Sequence, residues 1–228
     1  MREFGKDKLI ISIREAFISF FNEGFRGHGS KILSISCGKG DYEKLIFKRY
    51  ENINIVSTDI VDCMVSGKDI EYFNKRGVWN FVKVKPEKEL PFENETFNLI
   101  FHNDTIEHTR KAHLFLKEQF RVLKKGGCII LGTPNLLRIA NIAKIIIGKL
   151  HFPKKISNEN LYTSSHHIQE FTQWNITSML EEIGFEQIEL TCCFFGFNIF
   201  NIQFKKYPKK GLGKLMAHYL TFCAKKPL

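Results

Sequence analysis

The sequence predicts an α/β protein with a doubly wound, mostly parallel sheet of seven strands and helices on both faces. Three observations carry this. Short apolar runs of strand length alternate with helical stretches along the whole 228-residue chain. The connections between them are short, which suits parallel strands joined by crossover helices. No internal repeat or low-complexity linker interrupts the alternation, and a hydrophobic content of 43% with 22 phenylalanines supplies one full core. The chain therefore reads as a single domain over 1–228.

A helix is expected around Asp7–Glu23, then strand one over Lys31–Ser36, a turn through Gly38 and Gly40, and a helix to about Tyr50. Ile53–Thr58 reads as strand two, Trp79–Val84 as strand three and Phe97–His102 as strand four. A helix near Arg110–Leu123 places Leu116, Phe120 and Leu123 on one face. Gly126-Gly127 is expected to end it, with strand five over Cys128–Gly132. After an insertion at about 136–165, Trp174–Ile183 is helical and stops at Gly184, where a glycine suits a helix end. Glu186–Phe195 and Ala217–Lys225 complete the set as strands six and seven.

The net charge of +10 is uneven. Residues 136–165 hold five Lys/Arg against one acid, and 205–228 hold seven Lys and no acid, so the remainder is close to neutral. A surface meeting phosphate, an acidic sugar or lipid is one reading of those two segments, and solvated lysines the other. The longest uncharged stretch, Leu190 to Phe204, has 15 residues, short of the ~20 a spanning helix needs. With no secretory leader pattern, a cytoplasmic location is expected. The six cysteines contain no Cys-x-x-Cys pair and no histidine at ligand spacing from one, so reduced core thiols are expected and no metal site is assigned.

In KILSISCGKGDYEK, Gly38 and Gly40 let the backbone bend tightly between a strand and a helix, as a nucleotide cradle requires. Asp59 lies 19 residues after Gly40, at what is expected to be the exposed end of strand two. A carboxylate there can accept both hydroxyls of a ribose; the plainer alternative is a helix N-cap. Ligands in such folds bind beyond the carboxyl ends of the strands, here strands one, two and four.

The order of segments resembles the class I S-adenosylmethionine-dependent methyltransferases, especially the broad bacterial group acting on small molecules. ILSISCGKG is similar to the first motif, STDI to the second and LPFENETFNLIFHNDTIEH to the strand-four region. RVLKKGGCIILGTPN resembles strand five, and HIQEFTQWNITSMLEEIGF the helix before strand six. The resemblance implies a strand order 3-2-1-4-5-7-6 with strand seven antiparallel, and S-adenosylmethionine as cofactor. It places Ser36, Gly38 and Gly40 along the methionine portion, Asp59 at the ribose, Ile60 at the adenine, and Asn103 at the methionine end through its backbone. Three positions depart from the pattern. Ser34 stands for an acid, Ser36 for a glycine, and Lys85 or Pro86 for the acid that usually meets the adenine amino group, with Glu87 the nearest substitute.

On the acceptor side, a base matters if the methylated atom is a hydroxyl oxygen. His108, after strand four, and the His166-His167 pair are the candidates, with anchoring of the next helix as the plain reading of His108. Asp104 is the alternative, orienting cofactor or acceptor. Nucleic-acid methylation is disfavoured: His102-Asn103-Asp104-Thr105 replaces the Asn/Asp-Pro-Pro-aromatic motif, and no Pro-Cys pair exists. In LLRIANIAKIIIGKL, Arg138, Asn141, Lys144 and Gly148 share helical spacing and leave a wide apolar face. That segment reads as a lid over a small-molecule, glycan or lipid-linked acceptor, or as a contact with an anionic bilayer. A binding module without catalysis is the competing class.

Overall fold

The computed structural model describes residues 7–25, 27, 29–150 and 167–228. Helix α1 (Lys8–Gly24) starts where the Asp7 carboxylate accepts from the Leu9 and Ile10 N–H groups. β1 (Lys31–Ile35), α2 (Asp41–Phe47), β2 (Ile53–Asp59), α3 (Gly67–Arg76), β3 (Gly77–Lys83) and β4 (Phe97–Asn103) follow. A short 3-10 turn, Ile106–His108, leads to α4 (Ala112–Val122), β5 (Leu123–Pro134) and α5 (Ile139–Ile146). Then come α6 (Gln173–Ile183), β6 (Glu186–Cys193), β7 (Phe195–Phe197), β8 (Ile202–Lys205), α7 (Gly211–Leu215) and β9 (Tyr219–Lys225).

The seven-stranded sheet has the order β3-β2-β1-β4-β5-β9-β6, with β9 antiparallel to both of its neighbours. This is the order the family resemblance implies. Successive side chains on a strand point to opposite faces, so each buried strand must be apolar in both directions. Leu33, Ile100 and Ile129 meet Leu116 of α4 and Ile176 and Leu180 of α6 in one cluster. Ile32, Phe101 and Ile130 meet Phe17 and Phe21 of α1, Ile46 of α2 and Phe73 of α3 in the other. The connection leaving β1 thus crosses one face and the connection leaving β4 the other, which opens a crevice at their carboxyl ends.

Several elements differ from expectation for identifiable reasons. Only Phe73 of α3 is buried, so no apolar period announces that helix. β5 begins at Leu123 and runs through Gly126 and Gly127, which do not end α4. Gly126 has φ +68, and its N–H donates to the Lys226 carbonyl at 2.9 Å. A Cβ on Gly127 would lie 2.9 Å from the Asn98 carbonyl oxygen, so the glycines serve strand approach. Strand six ends at Cys193; beyond Phe194, with φ +60, the chain forms the separate β7–β8 hairpin. Cys128, Cys192, Cys193 and Cys223 are buried among the core side chains, as expected.

Beneath α2 lies a polar group inside the core. Glu43 is fully buried, and its Oε1 accepts from the Ser57 hydroxyl at 2.8 Å. Ser57 Oγ in turn accepts from Trp79 Nε1 at 2.9 Å. Burial raises the Glu43 pKa, with the Ser34 and Ser57 hydroxyls opposing. A carboxyl whose folded pKa exceeds its unfolded value loses stability contribution as pH rises past the ordinary range of about 4.3. Glu43→Gln keeps the acceptor oxygen and cannot ionise. Its melting temperature is expected to exceed that of the wild type by a few degrees at pH 8, with the gap narrowing at pH 5.5. Thermal melts at the two pH values check this, and a wild-type advantage at pH 8 would contradict it.

Candidate active site

From Ile35 the chain turns through Ser36 at φ +57, Gly38 at φ +51 and Gly40 at φ +73. Ser36 keeps a left-handed backbone despite its Cβ, with the residue exposed, so the departure from glycine costs on the order of 1 kcal/mol in strain while preserving the turn. A Cβ on Gly38 would meet nothing within 4 Å, so this side of the turn is open. A Cβ on Gly40 would lie 3.1 Å from Val65 Cγ2, so that glycine answers to both backbone and packing.

Asp59 stands across from the turn. Its Oδ2 accepts from the Gly38 N–H at 3.0 Å, and its Oδ1 from Ile60 at 2.7 Å and Val61 at 3.3 Å. The carboxylate braces the glycine loop and its own strand end together. At 9% exposure it is buried, where an exposed strand end was expected, because these bonds draw it under the turn. It is no helix cap, since Ser66 caps α3. Ile60 follows it, half-buried. Glu87 is exposed at φ +53, and its Oε1 accepts from the Arg110 N–H at 2.7 Å, tying the loop after β3 to the approach to α4. At the end of β4 the Asn103 carbonyl accepts from the Thr105 hydroxyl at 3.0 Å. The Asn103 side-chain oxygen and nitrogen are buried with no hydrogen-bond partner among the described residues. An open glycine turn, a carboxylate beside it and an unpaired amide at the switch point fit a polar nucleoside ligand.

A second polar group gathers where β4 and β5 end. The backbone N–H groups of Ile168 and Gln169 both donate to the Glu107 carbonyl, at 3.0 and 3.3 Å. Gln169 Nε2 also donates to the Thr109 carbonyl at 2.7 Å. These bonds set the His167 ring edge-on to His108, with centroids 5.1 Å apart. His167 Nδ1 lies 2.7 Å from Glu170 Oε1. Glu170 has a fully buried side chain and also takes Asn141 Nδ2 at 2.6 Å and both terminal nitrogens of Arg138. Burial works to raise its pKa, but the bonds from His167, Arg138 and Asn141 outweigh that and hold the carboxyl at about 2.

Glu107 is buried as well, and its Oε2 accepts from the Thr133 hydroxyl at 3.0 Å. Burial first and the Asp104 charge second push its pKa well above the usual range. Asp104 has φ +50 and keeps solvent access. The protein mass around it raises its pKa, opposed by the Tyr219 hydroxyl and the His167 charge, and its exposure moderates the rise. Asp104 and Glu107 thus share one region of unfavourable negative charge.

A family model described as "Methyltransferase domain" matches residues 33–131. Over that stretch, a little under half of its length, the chain is similar to a methyltransferase domain. It is 28% identical over 117 residues, 51% of this chain and 51% of the relative, to an uncharacterized protein of Methanocaldococcus jannaschii. It is 27% identical over 103 residues, 45% of this chain and 36% of the relative, to the malonyl-[acyl-carrier protein] O-methyltransferase of Legionella pneumophila. These matches span about half or less of those curated relatives. In fold the chain is similar to Haemonchus contortus phosphoethanolamine N-methyltransferase 2 in complex with S-adenosyl-L-methionine. The TM-score is 0.63 at 14% identity, covering 94% of this chain and 53% of that one.

Ser36, Gly38, Gly40, Asp59 and Ile60 come together around the first turn, and His108 and His167 come together beyond β4. Glu87 is occupied at Arg110, and His166 lies outside the described residues. Glu107, Glu170 and Arg138 were not singled out as site residues. Glu107 adjoins His108 and Glu170 follows His167 by three, a spacing that could have flagged both acids. Arg138 and Asn141 gave no such signal, since their spacing looks like a solvated helix face.

Asp59→Ala is expected to weaken S-adenosylmethionine binding by roughly 1–3 kcal/mol, the scale of a lost hydrogen bond to a charged group. The variant also strands the Gly38 N–H, so it should melt earlier while still folding. Calorimetry on the folded variant checks this, and unchanged affinity would remove the ribose assignment. Ser36→Gly relieves the left-handed strain and should hold or improve affinity in the same titration.

Proposed function

We propose that this protein transfers a methyl group from S-adenosylmethionine to a hydroxyl oxygen of a small-molecule, glycan or lipid-linked acceptor. The observation that carries this reading is the His108–His167 pair beyond β4, with His167 oriented by Glu170. Bound S-adenosylmethionine supplies a methyl group already activated on a sulfonium. The glycine turn and Asp59 would hold the nucleoside end, and the Asn103 backbone the methionine end. Transfer of that methyl group to a hydroxyl would require the hydroxyl proton to leave. The imidazoles beside the acceptor are suited to take it, and Glu170 stabilises the imidazolium that results. Alignment supplies much of the rest of the rate.

An apolar acceptor is favoured by the surface around the site. α5 is turned inside out: Asn141 is fully buried against Glu170, while Ile145, Ile146 and Ile147 are exposed, Ile146 by 79%. Arg138, at the N-cap position, also lies buried, so the start of the polar row faces the protein while Ile145 and Ile146 face out. α5 packs beside β7, whose hairpin exposes Phe197, Ile199, Phe200 and Phe204. Lys205, Lys209 and Lys210 are exposed next to it. Apolar side chains ringed by lysines suit a lipid-linked acceptor and a peripheral contact with an anionic bilayer. Among the described residues, no helix is long and apolar enough to cross a membrane.

Calorimetry with S-adenosylmethionine should show stoichiometric binding, and its failure would leave a binding module without this cofactor. His167→Ala should keep cofactor binding and lose transfer of a labelled methyl group; retained transfer would remove the histidine from the chemistry. For the surface, the protein should sediment with phosphatidylserine-containing vesicles and release as salt rises. The exposed-site double variant Ile146→Asp/Phe200→Asp should stay folded and remain in the supernatant. Sedimentation undiminished by both changes would rule this face out.

A further inference from the structure

The acceptor side holds a donor set that proton transfer alone does not require. Nitrogen atoms of His108 and His167 and a carboxylate oxygen of Glu107 all lie within 4.8 Å of one another. Two observations independent of that proximity point to a ligand. Glu107 is fully buried, and its Oε1 has no hydrogen-bond partner among the described residues, while Oε2 is already held by Thr133. An ionised oxygen in that position calls for a proton or a cation. His167 has its Nδ1 fixed on Glu170, which leaves Nε2 as the nitrogen presented to the cluster. A carboxylate on one imidazole nitrogen is how proteins orient a histidine whose other nitrogen binds a metal.

We propose that Glu107, His108 and His167 form a binding site for a divalent first-row transition-metal ion. The two contributing segments are locked together before any ion arrives, by the Ile168 and Gln169 N–H bonds to the Glu107 carbonyl and by Gln169 to Thr109. Four-coordinate zinc spaces ligands about 3.4 Å apart for bonds of ~2.1 Å. Side-chain rotation closes the remaining gap. Two imidazoles and one carboxylate select zinc, cobalt, nickel or manganese over magnesium, which prefers oxygen donors. Three protein ligands leave a coordination position open, as catalytic metal sites do. The purpose of the ion, lowering the pKa of a coordinated acceptor hydroxyl, rests on the methyl-transfer reading; its binding does not.

Chelator-stripped protein titrated with Zn²⁺ alone should bind one equivalent tightly, and Co²⁺ in its place should give visible d–d bands from nitrogen ligation. Glu107→Gln, which preserves shape, and His167→Ala should each weaken Zn²⁺ binding at least tenfold. His113→Ala and Cys63→Ser, away from the cluster, should leave it unchanged. Should Glu107→Gln fail to fold, His108→Ala carries the same readout. Absence of stoichiometric Zn²⁺ binding, or equal affinity in the ligand variants, would overturn the site. Zn²⁺ binding without S-adenosylmethionine binding would support the site and sink the methyl-transfer reading. Cofactor binding with chelator-resistant transfer and no Zn²⁺ uptake would do the reverse.

Discussion

The whole arrangement depends on one constraint: the connections leaving β1 and β4, which lie side by side, must cross opposite faces of the sheet. α2 covers one face and α4 the other, so neither helix can close the space beyond the two strand ends. A polar ligand can be held there by backbone groups that the sheet itself no longer pairs. The residues at that edge show the consequence. Asp59 bonds to the Gly38 N–H across the gap, and the Asn103 side-chain amide has no hydrogen-bond partner among the described residues. Everything proposed about chemistry occupies this crevice and its continuation past β5.

The continuation is held by a single buried anion. Glu170 joins the start of α5, through Arg138 and Asn141, to the segment carrying His167. Removing one partner from such a cluster leaves buried charge uncompensated and costs several kcal/mol. The same demand explains why α5 is inverted. Arg138 and Asn141 are drawn inward to Glu170, and Ile145 and Ile146 at the far end of the helix are left exposed. An apolar surface here is thus a product of satisfying a buried carboxylate.

Much of this was legible in the sequence, for reasons that differ by element. The buried strands are apolar on both faces, so Ile32–Ile35 and Phe97–Phe101 announce themselves by composition. The Gly38–Gly40 turn and Asp59 were legible because few residue types tolerate φ near +60° or can bridge two strand ends. α3 was hidden because it buries one side chain, and the β7–β8 hairpin because its aromatic run alternates no more clearly than a core strand. On the acceptor side the histidines stood out, but their carboxylate partners did not. Burial, which turns Glu107 and Glu170 from ordinary acids into site residues, is a property of the tertiary structure alone.

The placement of β9 has a bearing on how the chain reaches this state. β6 pairs with β9 alone, and β9 enters between β5 and β6, antiparallel to both. During synthesis β6 therefore emerges with no sheet to join, and β5 keeps an open edge until the later strand arrives. Leu220, Phe222 and Ala224, all buried in the finished sheet, are the residues that close it. Contacts so distant in sequence form late and slowly. The stretch between β6 and β9 carries the exposed aromatic hairpin, so the interval before closure is when the nascent chain is most prone to self-association.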